Sequence, residues 1–164
     1  MLDQAALRAM CEHVVYEAEM LRTTTELLND PEFVAVDDLG LVVPRRTSRD
    51  ICKYNAVFEA SLIHLRALND FLGEPNRGHN DDVFASDYLP SWSAQLRLSK
   101  KERAYINKRI AHVSSVRLQG QATWATARSG ETLIEFGRFM VEFEAAFPAR
   151  AQWFAGHLLP FIDE

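Results

Sequence analysis

The sequence predicts an all-α protein: a four-helix-type bundle with a short C-terminal helix and an irregular loop between helices one and two. Apolar residues recur at three- and four-residue steps over long stretches, the period of a helix with one buried face. The seven glycines and six prolines are few and collect between those stretches, which disfavours a many-turned β fold. A chain of 164 residues, 48% hydrophobic and 25% charged, suits one globular domain over 1–164 with a core that needs no staple.

The first helix is predicted from Asp3 to Leu28, with Leu7, Met10, Cys11, Val14, Ala18, Leu21 and Leu28 on its inner face and Asn29, Asp30 and Pro31 ending it. From Glu32 to Arg46 the period is lost. Val34, Val36, Leu41, Val42 and Val43 suit either a short strand or an ordered loop laid over the bundle, and the loop is preferred. Thr47 or Ser48 caps the second helix, with Asp50 placed for a capping box from Thr47, and Gly73 and Pro75 stop it after Leu72. Gly73 to Ser86 reads as a loop. Asp87 to Leu98 reads as a short helix interrupted at Pro90, with Trp92 as an anchor. Ser99 followed by Glu102 is a capping box that opens the third long helix, expected to reach Val116 and to finish by Gly120. A fourth helix is expected from Glu131 to Phe147, with Leu133, Phe136, Met140, Phe143 and Phe147 as an aromatic seam. Pro148 then opens a last short helix with Trp153, Phe154 and Leu158.

Composition narrows the function classes. The net charge of −5 argues against non-specific nucleic-acid binding by the molecule as a whole, yet the charge is uneven. Residues 1–40 hold nine acids against Arg8 and Arg22, whereas residues 97–117 hold seven bases against Glu102, enough to attract an anion locally. No apolar run approaches the ~18–20 residues of a membrane span, and the acidic N-terminus reads as neither signal peptide nor anchor. Cys11 and Cys52 lack a CxxC or zinc spacing and read as buried, reduced thiols, so a cytoplasmic location is expected. There is no Walker loop, GxGxxG, GxSxG or HExxH.

Two helices carry polar residues in patterns that could support chemistry. On the second, Asn55, Glu59, Arg66 and Asp70 are spaced by four, seven and four residues, so they share a narrow band on one side. Two readings are open. The band is either a solvated stripe with an Arg66–Asp70 pair contributing ~0.2–0.5 kcal/mol, or an inward stripe that must be satisfied across the bundle, because unpaired buried charge costs several kcal/mol. On the third, within INKRIAHVSSVR, Tyr105, Lys108, Arg109, His112 and Val116 share one side, with Ile106, Ile110 and Val113 on the core side. His112, flanked by two cations, would be held toward its neutral, proton-accepting form. The ordinary alternative is a surface histidine.

The second helix (NAVFEASLIHLRALNDFL), the acidic loop (DDVFASDYLP) and the third helix (INKRIAHVSSVR) together resemble a bacterial group of HEPN-like proteins, over about residues 50–120. The family signature is an arginine, often followed by a polar residue, with a histidine four to six residues beyond. Asn107 and His112 match the polar residue and the histidine, and Ile106 stands where the arginine is expected. The resemblance implies a helical bundle that usually dimerises. It also implies a metal-independent ribonuclease or an RNA-binding partner of the toxin–antitoxin or phage-defence kind, where an antitoxin-like protein would be a partner. The missing arginine leaves either a cleaving site rebuilt around Lys108 or Arg66, or a member that does not cleave. The cleaving version makes His112 the base on a ribose 2′-hydroxyl, with Lys108 and Arg109 stabilising phosphorane charge and Asn107 orienting the group. Arg66, Asp70, Arg109 and Glu59 are the binding candidates, and no cofactor or metal is expected. His79, Asp81, Asp82 and Asp87 lack the ligand order of a calcium loop and read as turn residues. Asp82 or Asp87 could instead fold over to neutralise Arg66 or Lys108. The alternative function is a non-catalytic interaction or dimerisation module, suggested by the Phe-rich fourth helix with Trp92, Trp124 and Trp153.

Overall fold

In the computed structural model, residues 3–30, 35–36, 42–43, 48–73, 82–111 and 123–155 are described. The molecule is organised around α2 (Ser48–Leu72), which packs against α1 (Gln4–Asn29), α4 (Lys100–Ala111) and α5 (Thr123–Ala146). The cause is legible in its side chains. Phe58, Leu62, Leu65 and Leu68 follow one another at helical steps and are at most 2% exposed, which makes a stripe wide enough to meet several neighbours. Against it α1 presents Leu7, Cys11, Val14, Ala18 and Leu21, all buried. Asp3 caps α1 by accepting the amide hydrogen of Ala6 at 2.8 Å. A second α1–α2 link is polar, with His64 Nδ1 2.7 Å from Glu17 Oε2.

The α5 helix begins eight residues before the expected Glu131, and the reason is physical. Ala125, Ser129, Thr132, Phe136, Phe139 and Phe143 are all buried and alternate steps of four and three. The apolar period is disguised early on by Ser129 and Thr132; Ser129 satisfies its hydroxyl by donating to the Ala125 carbonyl at 2.9 Å. The Phe seam is core. Phe139 meets the rings of Phe71, Trp92, Phe136, Phe143 and Phe154 at centroid separations of 5.4 to 6.2 Å. Phe154 comes from α6 (Gln152–Ala155), which follows a 3₁₀ turn at Pro148–Arg150.

Between α2 and α4 the chain runs as a strap with only one short helix, α3 (Ala85–Tyr88). Hydrogen bonds fasten it to three different helices. Tyr88 Oη donates to the Leu7 carbonyl on α1 at 2.7 Å, and Trp92 Nε1 donates to the Leu72 carbonyl at the end of α2 at 2.8 Å. The Gln95 amide donates to Glu135 Oε1 on α5 at 2.6 Å, and the Leu98 amide to Asn69 Oδ1 at 3.1 Å. Trp92 is thus the expected anchor, and it also carries the Arg138 guanidinium 4.0 Å from its ring centroid. Glu135 is nearly buried. Burial opposes its ionisation, but Arg138 and the Gln95 amide outweigh that and hold the carboxyl below its usual range.

The expected loop between α1 and α2 contains a two-residue antiparallel ladder, β1 (Ala35–Val36) and β2 (Val42–Val43), with Ala35 opposite Val43 and Val36 opposite Val42. The strand alternative therefore holds for these four residues, as β-branched valines favour. The Thr47 cap, the third helix beyond Ala111 and Leu158 lie outside the described residues. Among the described residues no helix is long and apolar enough to cross a membrane.

Cys11 is fully buried, and burial pushes its thiol up to about 11, whereas Cys52 is exposed on α2. Native protein at pH 8 should therefore react at one thiol with a disulfide reagent, and at two after unfolding. Two fast-reacting thiols in the folded protein would contradict this packing of α1.

Candidate functional site

The polar band of α2 borders α4, and each reading holds in part: Arg66 and Asp70 bond to α4 while their side chains stay 47% and 40% exposed. Arg66 Nη1 donates to Asn107 Oδ1 at 2.5 Å, and one helical turn away the Arg103 guanidinium bonds Asp70. Four residues forward on α2 are matched by four residues back on α4, as antiparallel neighbours require. Arg103 also donates from Nη2 to Asn69 Oδ1 at 3.2 Å, and Arg66 Nε lies 3.5 Å from Asp70 Oδ2. Asn69, 2% exposed, thus accepts from both Leu98 and Arg103 and locks strap and α4 to α2.

The start of α4 is fixed by the expected capping box. The Ser99 amide donates to Glu102 Oε2 at 2.6 Å, and the Glu102 amide to Ser99 Oγ at 3.2 Å. Arg128 of α5 donates from Nε to Glu102 Oε1 at 2.8 Å. Burial opposes the Glu102 charge, but Ser99 and Arg128 together outweigh it and hold the carboxyl below its usual range.

Beside this ladder lies an open groove of about 790 Å³. Its walls include Arg66, Arg97, Lys100 and Arg103 against Asp70 and Asp82, so cations predominate among the described lining residues. Asp82 stands in the same groove as Arg66, whereas Asp87 is a local cap that accepts the Phe84 amide at 3.0 Å.

Not every predicted site residue comes here. Arg66, Asp70 and Asn107 meet. Arg109 does not join them: it is 4% exposed between α2 and α4, donating to Asn55 Oδ1 at 3.3 Å with its guanidinium 5.3 Å from the Phe58 ring centroid. At three residues from the fully buried Ile106 it falls within about 60° of that side chain, so the core side of α4 includes it. Burial pushes the Tyr54 hydroxyl up to about 12, against the opposing pull of Arg109. Arg109 is a buried structural cation, not a surface contact for a ligand. Lys108 is exposed, about 160° around the helix from Ile106, and is not among the side chains lining the groove. Glu59 is half-buried on α2. His112, His79 and Asp81 lie outside the described residues. Among the described residues no three His, Cys, Asp or Glu side chains are grouped to hold a metal.

Residues 69, 97, 100 and 103 were not among the candidates. Arg103 had a readable signal. Its cation lies four residues before Asn107, the reverse of the Arg66–Asp70 order, as an antiparallel partner needs. Asn69 had none, because a buried amide at the edge of an apolar stripe looks like any polar surface residue. No family model matches this chain, and no curated protein or solved structure matches it either.

Glu102→Gln should lower unfolding stability at neutral pH by about 1 kcal/mol, the scale of removing a helix cap. A carboxyl held low in the fold stabilises above its unfolded pKa, and that contribution fades as pH falls through the folded value. The gap between wild type and variant should therefore close on acidification. A gap constant from neutral to strongly acidic pH in denaturant titrations would contradict the linkage.

Proposed function

We propose that this chain is an RNA-interacting helical bundle of the HEPN-like kind that takes the phosphate backbone into the groove between α2 and α4. The supporting observation is the convergence of the two polar helix faces, with Arg66 bonded to Asn107 beside a groove rich in Arg and Lys. Phosphate contacts supply most of the sequence-independent affinity for nucleic acid, and arginine forks suit phosphate oxygens bidentately. The overall charge of −5 does not oppose this, because a cationic cleft focuses its own field.

Ile106 is fully buried, so a side chain at the place of the family's arginine faces the core rather than a ligand. The guanidinium beside Asn107 is that of Arg66, from another helix. This favours binding over cleavage as the basic activity. Cleavage is the finer reading and requires His112 as base, with Arg66 rather than Lys108 as the nearby cation. Its assay is RNA turnover by wild type and His112→Ala from about pH 5 to 8; absence of wild-type turnover leaves a binder.

The binding reading is checked with a labelled single-stranded RNA. Affinity should fall steeply with salt, and Arg66→Gln combined with Lys100→Gln should weaken it about tenfold or more at low salt. The log–log salt slope should become shallower by roughly 0.7 for each phosphate interaction removed. Both side chains are substantially exposed, so the thermal midpoint should change little. Wild-type protein that fails to bind at low salt, or a variant that binds equally well, would refute it.

A further inference from the structure

Between α1, α2 and the start of the strap lies a second, smaller cavity of about 290 Å³. Ala67 and Phe71 of α2 and Asp82 and Val83 of the strap line both this cavity and the groove, so the two share a wall. Their chemistry differs. The groove presents Arg66, Arg97, Lys100 and Arg103. Among the described residues that line the cavity there is no arginine or lysine, and the titratable side chains are His13, Glu17 and Asp82. The floor is apolar, with Val14, Leu68 and Phe71 all buried.

Glu17 is a positioned acceptor rather than a loose surface acid. Its Oε2 lies 2.7 Å from Nδ1 of His64 on α2, and its side chain is 30% exposed. That contact fixes the carboxylate at the cavity and uses only part of its capacity, because a carboxylate has about four lone-pair sites. Asp82 adds a second carboxylate from the strap. Ionised carboxylates accept hydrogen bonds and donate none, so a group seated on this apolar floor must bring N–H donors. The same charges disfavour an anion.

We propose that this cavity is a base pocket for the RNA whose phosphates occupy the groove, and that it selects a base carrying an exocyclic amine, with Glu17 as the acceptor that reads it. The inference rests on the RNA-binding reading of the groove and adds base specificity to it. A nucleotide joins an anionic phosphate to a flat, largely apolar base with donors on its edge. Two adjoining cavities, one cationic and one apolar with carboxylates, match those two parts. The smaller volume is at the lower end for ligand pockets, which suits a single base. Single-stranded RNA is commonly read in this way, by bases splayed out and hydrogen-bonded along their edges. Cytosine presents N4–H₂ where uracil, of the same shape, presents a carbonyl oxygen. A carboxylate accepts from the first and repels the second.

The test compares labelled oligocytidine and oligouridine of equal length, at neutral pH and the same low salt. Wild type should bind oligocytidine about tenfold more tightly, the discrimination that one good base contact gives. Glu17→Gln should reduce that preference to about twofold or less, because an amide can donate to uracil O4 as well as accept from cytosine N4. Its amide oxygen can still accept from His64. Met10→Trp, at a half-buried wall position, should also remove the preference by filling the cavity, and should leave the salt dependence of oligouridine binding unchanged. A wild type that binds neither oligomer refutes the RNA reading itself, and the base pocket with it. Equal binding of both by wild type, or a preference that survives both substitutions, overturns the base pocket alone and leaves the groove reading standing.

Discussion

The register of α4 on α2 is marked by the clamp in which Arg103 is shared between Asn69 and Asp70, and the candidate site lies beside it. Among its described residues α4 buries one apolar side chain completely, Ile106. Tyr105 and Ile110 pack against the core only in part. Polar contacts surround this apolar seat: the Ser99–Glu102 box at the start of the helix, Arg128 reaching from α5, and the Asn69, Asp70 and Arg66 contacts from α2. The α1, α2 and α5 layers form the apolar frame on which this more polar helix is mounted.

That division of labour shapes the electrostatics. Arg103 and Arg109 lie in the α2–α4 contact zone, one neutralised by Asp70 and the other buried beside Asn55 and Phe58. The rim of the groove adds Arg97 and Lys100, with Arg66 half-exposed between Asp70 and Asn107. The described bases of residues 97–111 thus divide between contacts that hold the fold and exposed charge.

The frame was readable because its signals are local. The periods of α1 and α2, the Ser99–Glu102 box and the stop at Gly73 each need only neighbouring residues to be recognised. The start of α5 was not, because Ser129 and Thr132 occupy buried positions, and the Ser129 hydroxyl is satisfied within the helix by the Ala125 carbonyl. The Arg66, Asp70 and Asn107 cluster was half-readable: spacing placed each on a helix face, but only packing could show that the two faces meet. Arg109 was misplaced for the converse reason. A long amphipathic side chain can enter an interface and lay its guanidinium over a phenyl ring, and a sequence pattern registers only its charge.

The most direct measurement is a double-mutant cycle on unfolding free energy with Asp70→Asn and Arg103→Gln. Both groups are partly exposed, so solvent screening limits the expected coupling to about 0.5–1 kcal/mol, fading at high salt. Coupling of that size places α4 against α2 in the register on which the groove depends. Strict additivity of the two substitutions would mean that the side chains do not meet, and the site described between these helices would not exist.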